Sequence, residues 1–213
     1  MEKIPPYKLP TEYQLPASVV NWQPVCTRTA LLIHDMQHYF LNFFTADASP
    51  VVHLIDNTCH LLNIARYLRI PVFYSAQPGD MTPLQRGLLQ SIWGSGMSAS
   101  HEHKQIIPQL TPKEGEHILT KWRYSAFFNS PLLSKLRGFK RDQLIICGVY
   151  AHIGCLCTAQ EAYSNDIETF FVADAVADFS AEKHRLALEL AAETCSLVLH
   201  TKQLINALDN SMH

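Results

Sequence analysis

Three things are missing from this chain, and each absence closes off a class of protein. No apolar run approaches the eighteen or so residues that a membrane-spanning helix needs. No basic cluster disturbs the balance of 17 basic and 19 acidic side chains, so nothing offers an electrostatic footprint to nucleic acid or an anionic membrane. The six cysteines, Cys26, Cys59, Cys147, Cys155, Cys157 and Cys195, lack the spacing of a disulfide framework. The opening stretch MEKIPPYKLPTEYQLP also has prolines and charges where a secretory signal needs an apolar core. A cytoplasmic chain with reduced thiols and a small-molecule partner is therefore expected.

What is present is alternation. Six short apolar runs occur at 29–34 (TALLIH), 71–76 (PVFYSA), 117–121 (HILTK), 143–148 (QLIICG), 168–173 (ETFFVA) and 196–200 (SLVLH). Such near-continuous runs predict parallel strands buried on both faces. Between them, PVVHLIDNTCHLLNIARYLRI, SPLLSKLRG, GCLCTAQEAYSND and SAEKHRLALELAAET repeat apolar residues at three- and four-residue spacing and predict crossover helices. Ser180 and the Asn129-Ser130-Pro131 run supply helix starts. The expectation is one α/β domain over 1–213: a doubly wound, six-stranded, mainly parallel open sheet with helices on both faces. Residues 1–25 read as an extended arm lying on the domain or on a partner subunit. The long, Gly/Ser/Pro-rich stretch 77–116 reads as a lid or substrate-binding insertion.

In such sheets ligands bind beyond the carboxyl ends of the strands. The residues directly after the predicted strands are Asp35, Gln77, Lys121 and the segment Val149–Gly154, and these are expected to converge on one pocket. A desolvated carboxyl holds its proton to higher pH and can act as a general acid; Asp35 in that place is open to this role or to capping the next helix. Lys121 is open to pairing with Asp35, to binding a substrate carboxylate, or to plain solvation. Arg86 in the insertion is a carboxylate clamp or a surface arginine, and Trp93 a cover for a ring. The aromatic cluster Trp122, Tyr124, Phe127 and Phe128 is read as core. His34, His101, His103 and His152 have no ligand-like spacing, so no metal site is expected. Cys155 and Cys157, two apart on a helix, cannot both face one pocket and are read as buried structural thiols.

The segments LLIHDMQHYF, SAQPG, RGLL, WGSGM, LTKWRYSAFF, GVYAHIG and VADAVADFS together resemble the isochorismatase-like hydrolase superfamily over nearly the whole chain. Amidases of that superfamily use an Asp-Lys-Cys triad with the cysteine six residues after the glycine of a G-V-x-x-x-x-C pattern. Here that count from Gly148 reaches Gly154, so the nucleophile's place holds glycine and Cys155 is one residue out of register. The resemblance is therefore to the thiol-free members that cleave a vinyl ether. The QPGDMT and AYSNDI segments and an ending at His213 without a carrier domain point to the phenazine-pathway subgroup, which acts on 2-amino-2-deoxyisochorismate. A siderophore isochorismatase is the alternative; a cysteine amidase using Cys155 and a non-catalytic binder of chorismate-like acids are the others. The resemblance implies Asp35 as general acid, with Lys121, Gln77 and Arg86 orienting the substrate's two carboxylates. Tyr150 and Gly154 would line the pocket, the glycine leaving room where a thiol would clash, and Trp93 and Phe40 would be apolar walls. It also implies a non-proline cis peptide near Val149–Tyr150, no cofactor or metal, and a homodimer.

Overall fold

The computed structural model describes residues 2–211; His213, on which the chain-end argument turns, lies outside them. Six strands, β1 Thr29–His34, β2 Val72–Ala76, β3 His117–Thr120, β4 Gln143–Val149, β5 Glu168–Ala177 and β6 Ser196–Leu199, fall on the six apolar runs. They form one sheet in the order β3-β2-β1-β4-β5-β6. Every neighbouring pair is parallel, so the sheet is wholly rather than mainly parallel among the described residues.

Successive side chains of a strand point to opposite faces, and both faces are covered. Leu31, Ile33, Val72, Tyr74, Ile145 and Phe170 share one core with Leu54, Leu61 and Leu62 of the helix Val51–Tyr67 and Leu204 and Leu208 of the helix Thr201–Asn210. Leu32, Phe73, Leu144, Ile146 and Phe171 share the other with the helices Leu132–Gly138, Leu156–Tyr163 and Ala181–Thr194. β3 departs from expectation: only Leu119 is buried and Ile118 is exposed. As the outermost strand it has one neighbour and turns part of its surface to water.

The predicted helix starts hold. Ser180 Oγ accepts from Lys183 N at 3.2 Å and Ser130 Oγ from Leu132 N at 3.2 Å. The helix after β4 starts earlier than its periodicity suggests. Ala151–Cys155 forms a wide π-type turn, with Cys155 N donating to Tyr150 O at 3.2 Å, before the regular helix begins at Leu156. β5 runs four residues beyond its apolar run, because it bulges: Ile146 pairs with Phe171 but Gly148 with Val176. The bulge brings Asp178 and Phe179 beside the end of β4.

The N-terminal arm lies on its own domain. Ile4 N donates to Phe43 O at 2.7 Å, Tyr7 Oη accepts from Asp178 N at 2.7 Å, and Ser18 Oγ accepts from Val198 N at 2.9 Å. The insertion is ordered into short helices at Pro83–Arg86, Leu89–Trp93 and His101–Lys104. The buried amide of Gln37 fastens it at two points, donating to Gln77 O at 3.0 Å and Lys104 O at 2.7 Å and accepting from Gln77 N at 2.8 Å.

Two imidazoles are enclosed in this fold. His34 Nδ1 lies 2.9 Å from Val149 O and Nε2 3.2 Å from Thr158 Oγ1, while His184 Nε2 lies 2.9 Å from Ala173 O and Nδ1 3.1 Å from Tyr7 Oη. Burial pushes the pKa of both down, that of His34 to about 4. The unfolded chain then takes up protons first as pH falls from 6.5, so their stabilising contribution is whole above pH 6.5 and is lost as pH falls, for His34 on the way down to about pH 4. For His34 this amounts to about 3 kcal/mol. Nuclear magnetic resonance of the rings should find His34 still neutral at pH 5, when exposed histidines have titrated, and His184 titrating below the ordinary value, and urea unfolding should find stability falling as pH drops below 6.5. An imidazole at either position that titrates near 6.5 would contradict this account.

Candidate active site

The strand order reverses between β1 and β4, the place where open parallel sheets leave a crevice. A cavity lies there, and Asp35, Gln77, Lys121, Tyr150 and Gly154 all line it. Arg86, Trp93 and Phe40 complete the set read from the sequence. The four strand-end positions do converge.

Asp35 follows β1 in a left-handed backbone conformation, φ 52°, which aspartate tolerates better than most residues. Its carboxylate spans the ends of the two next strands: Ser75 Oγ donates to Oδ1 at 2.6 Å and Lys121 Nζ to Oδ2 at 2.7 Å. Asp35 is 4 % exposed and Lys121 3 %. Neither carboxylate oxygen caps the short helix His38–Leu41, whose N-cap is Gln37. Capping and a solvated lysine, both open from sequence, are thereby set aside.

Arg86 is not a surface arginine, being 5 % exposed. Nε donates to Gly94 O at 2.9 Å and Nη1 to Gln77 Oε1 at 3.3 Å. Gly96, at φ 84°, leaves space that a Cβ would take from the guanidinium. Among the described residues no carboxylate pairs with Arg86. Burial pushes its pKa down from the ordinary value. The cavity therefore holds one balanced ion pair and one cation without a counter-charge.

The remaining wall is aromatic. Tyr150 follows a cis Val149–Tyr150 peptide and donates its hydroxyl to Phe40 O at 2.8 Å, and burial pushes its phenol pKa up. Its ring sits 4.4 Å from that of Phe179 and 6.0 Å from that of Phe40, centroid to centroid. Trp93 Nε1 donates to Tyr124 Oη at 2.9 Å. The cluster after β3 thus divides: Tyr124 lines the cavity, Phe127 is core and Phe128 is exposed.

Cys155 is fully buried, and burial raises its thiol pKa well above the ordinary value; Cys157 is half-buried and raised for the same reason. Neither lines the cavity. His101 and His103 lie in the insertion and do not line it, His103 packing on Tyr39 with ring centroids 5.5 Å apart, and His152 pairs with Asp178 at 2.6 Å. No three His, Cys, Asp or Glu side chains come together as metal ligands among the described residues, and none of their helices is long and apolar enough to cross a membrane.

Sequence reasoning misses Ser75, Tyr39, Leu89, Tyr124 and Phe179. Ser75 and Phe179 carry a signal, since each sits at or just past a strand end. Phe179 escapes because the apolar run that marks β5 stops at 173. The Asp178 carboxylate, buried behind Phe179, accepts from His152 N at 2.6 Å and from Phe179 N at 2.7 Å, fixing the aromatic wall to the turn after β4.

Known proteins share this architecture. Residues 29–203 match the family described as the isochorismatase domain. The chain is 50% identical to the isochorismatase of Bacillus subtilis over 98% of this chain and 67% of that protein. It is 48% identical to the phenazine biosynthesis protein PhzD of Pseudomonas fluorescens, over 95% and 97% respectively. A cysteine hydrolase from Pseudomonas syringae pv. phaseolicola has the same fold, with a TM-score of 0.81 at 21% identity over 92% of this chain and 98% of that one. With the family matched from β1 through β6, the chain belongs to the isochorismatase family.

Proposed function

We propose that this chain hydrolyses the enolpyruvyl vinyl ether of 2-amino-2-deoxyisochorismate, releasing pyruvate and an aminohydroxycyclohexadiene acid. The observation that carries this reading is Arg86, a buried guanidinium without a carboxylate partner among the described residues that shares a cavity with the Asp35–Lys121 pair. A buried cation is costly unless an anion meets it, and the substrate brings two carboxylates. Isochorismate itself is the second reading, favoured by the 50% identity to a protein named isochorismatase. The two substrates differ only in a ring amino or hydroxyl group.

Hydrolysis of a vinyl ether needs a proton on carbon before it needs water. Asp35, protonated, gives its proton to the terminal methylene. The ether carbon becomes an oxocarbenium ion, water adds to it, and the hemiketal collapses to pyruvate and the ring alcohol, returning the proton. When the proton has left, Lys121 at 2.7 Å and Ser75 at 2.6 Å stabilise the carboxylate that remains. Arg86 and Gln77 orient the substrate carboxylates, and the aromatic walls, Phe40, Trp93 and Tyr150 among them, enclose the ring and exclude bulk water. No covalent intermediate forms. We also place the chain in the cytoplasm, on its free thiols, and as a homodimer, on the family resemblance.

Pyruvate release from each purified substrate, coupled to lactate dehydrogenase, tests the reading. Turnover of neither would end it. Asp35→Asn keeps the shape but carries no transferable proton, so kcat should fall by roughly 10²–10⁴-fold with substrate still bound; a variant keeping most of its turnover would remove Asp35 as the acid.

Arg86→Ala should act chiefly on KM, raising it roughly ten- to a hundredfold, the value of a charge-assisted hydrogen bond. Arg86→Lys should recover part of that loss, because it restores the charge without the fork. An unaltered KM would show that the guanidinium does not meet substrate.

Cys155→Ala and Cys157→Ala should each leave kcat close to that of the parent protein, and iodoacetamide should not inhibit. Stoichiometric inactivation through either thiol would favour the amidase alternative.

A further inference from the structure

Gly154 stands where the amidases carry their nucleophile, and its backbone does not explain why it is glycine: unlike Gly148 at φ 115°, it needs no left-handed conformation. Space is then the only remaining demand. The space is taken by His34. A Cβ on residue 154 would run into the His34 ring at Cε1 and lie 3.1 Å from Nε2 and 3.2 Å from Nδ1. Nor can the ring swing away, because both nitrogens are held. A carbonyl only accepts, so Nδ1–H donates to Val149 O at 2.9 Å, and Nε2 accepts from Thr158 Oγ1 at 3.2 Å. Thr158 Oγ1 in turn accepts from Ala126 N at 3.0 Å. Gly148 pairs with His34 across β4 and β1, and a Cβ there would strike the His34 carbonyl. One glycine clears the backbone of His34 and the other its ring.

We propose that His34 and Gly154 are a matched pair, in which the imidazole fills the volume of a side chain at 154 and so keeps a thiol away from the Asp35–Lys121 pair. In the same act His34 positions the cavity floor. Its ring ties the carbonyl of the Val149–Tyr150 peptide to Thr158, while its Nδ1 stays 3.8 Å from Asp35 Oδ2, too far for a hydrogen bond. His34 is thus a positioning residue that touches no substrate. The depressed pKa of the buried ring keeps it neutral in the working range, consistent with one donating and one accepting nitrogen. Gly154 accordingly makes room for a neighbouring residue of the protein itself, not only for the ligand. The turnover part of this inference rests on the proposed ether hydrolysis; the thiol part does not.

The test is a double-mutant cycle with His34→Asn, whose amide can still donate to Val149 O but has no atom in place of Cε1. Gly154→Ala should lower kcat roughly tenfold or more and lower the Tm in the parent protein, yet change either by about twofold or less, or by a degree or so, in the His34→Asn background. Equal effects in both backgrounds, especially an equal rise in KM, would mean that residue 154 meets only substrate and would overturn the pairing. A second measurement needs no substrate. In Gly154→Cys combined with His34→Asn, peptide-level mass spectrometry after iodoacetamide at pH 6 should find the introduced thiol alkylated faster than Cys26, Cys59 and Cys157. In Gly154→Cys alone it should not. An introduced thiol equally reactive in both folded proteins would overturn the exclusion, whatever the enzyme's substrate proves to be.

Discussion

The ion pair between Asp35 and Lys121 is the contact on which the rest of the site depends, and the sheet register makes it. β1 pairs His34 with Ser75 of β2, and β2 pairs Ala76 with Thr120 of β3. Three adjacent parallel strands therefore finish almost level, and the residues at their ends, Asp35, Ser75 and Lys121, meet without any long reach. A one-residue slip would turn each side chain to the wrong face. The pair is almost wholly out of water, which costs several kcal/mol per ion and is offset only if geometry and further hydrogen bonds are good. Ser75 supplies the further bond, and removal of either ion alone would strand the other at a cost of roughly 3–5 kcal/mol. Such a pair is weak evidence for stability and better evidence for a placed charge.

Arg86 gains its meaning against that balanced pair. Its polar contacts are a backbone carbonyl and a neutral amide, so its charge has no counterpart among the described residues. Two features keep it buried nonetheless: the insertion is sewn to β1's end through Gln37, and Gly96 clears a slot for the guanidinium. The fold holds a cation in a dry place where no anion among the described residues answers it. That asks for an anion, and the flat aromatic walls of Tyr150, Phe179 and Trp93 ask for a ring beside it.

Much of this is legible in the amino-acid sequence, for an identifiable reason. Buried parallel strands leave near-continuous apolar runs, and the strand ends of a doubly wound sheet mark its ligand crevice, so Asp35, Gln77 and Lys121 follow from pattern alone. Whether those residues are buried does not follow. Capping, solvation and surface exposure stay open for Asp35, Lys121 and Arg86 because each depends on what lies across the sheet. Ser75, Gln37 and Asp178 act through partners 26 to 67 residues away, and no local spacing records that. The run ETFFVA cuts β5 short since a bulge has no apolar signature, and Phe179 goes with it. The edge position of β3 is likewise a property of strand order, which the run HILTK does not carry.

Gly154 shows the same limit in its sharpest form. From sequence it is an absent nucleophile; in the fold it is also the space that lets His34 lie beneath the Val149–Tyr150 peptide. A protein described as a cysteine hydrolase shares this architecture at a TM-score of 0.81, so the fold alone does not fix the chemistry. The choice follows from what the bond requires. An amide carbon must be attacked by a strong nucleophile, and a thiolate supplies it. A vinyl ether becomes electrophilic on protonation and is then captured by water, so an acid and a stabilising charge suffice. Once the chemistry no longer needs a thiol, the volume at 154 is free for a side chain that strengthens the floor, and a buried imidazole with both nitrogens satisfied occupies it.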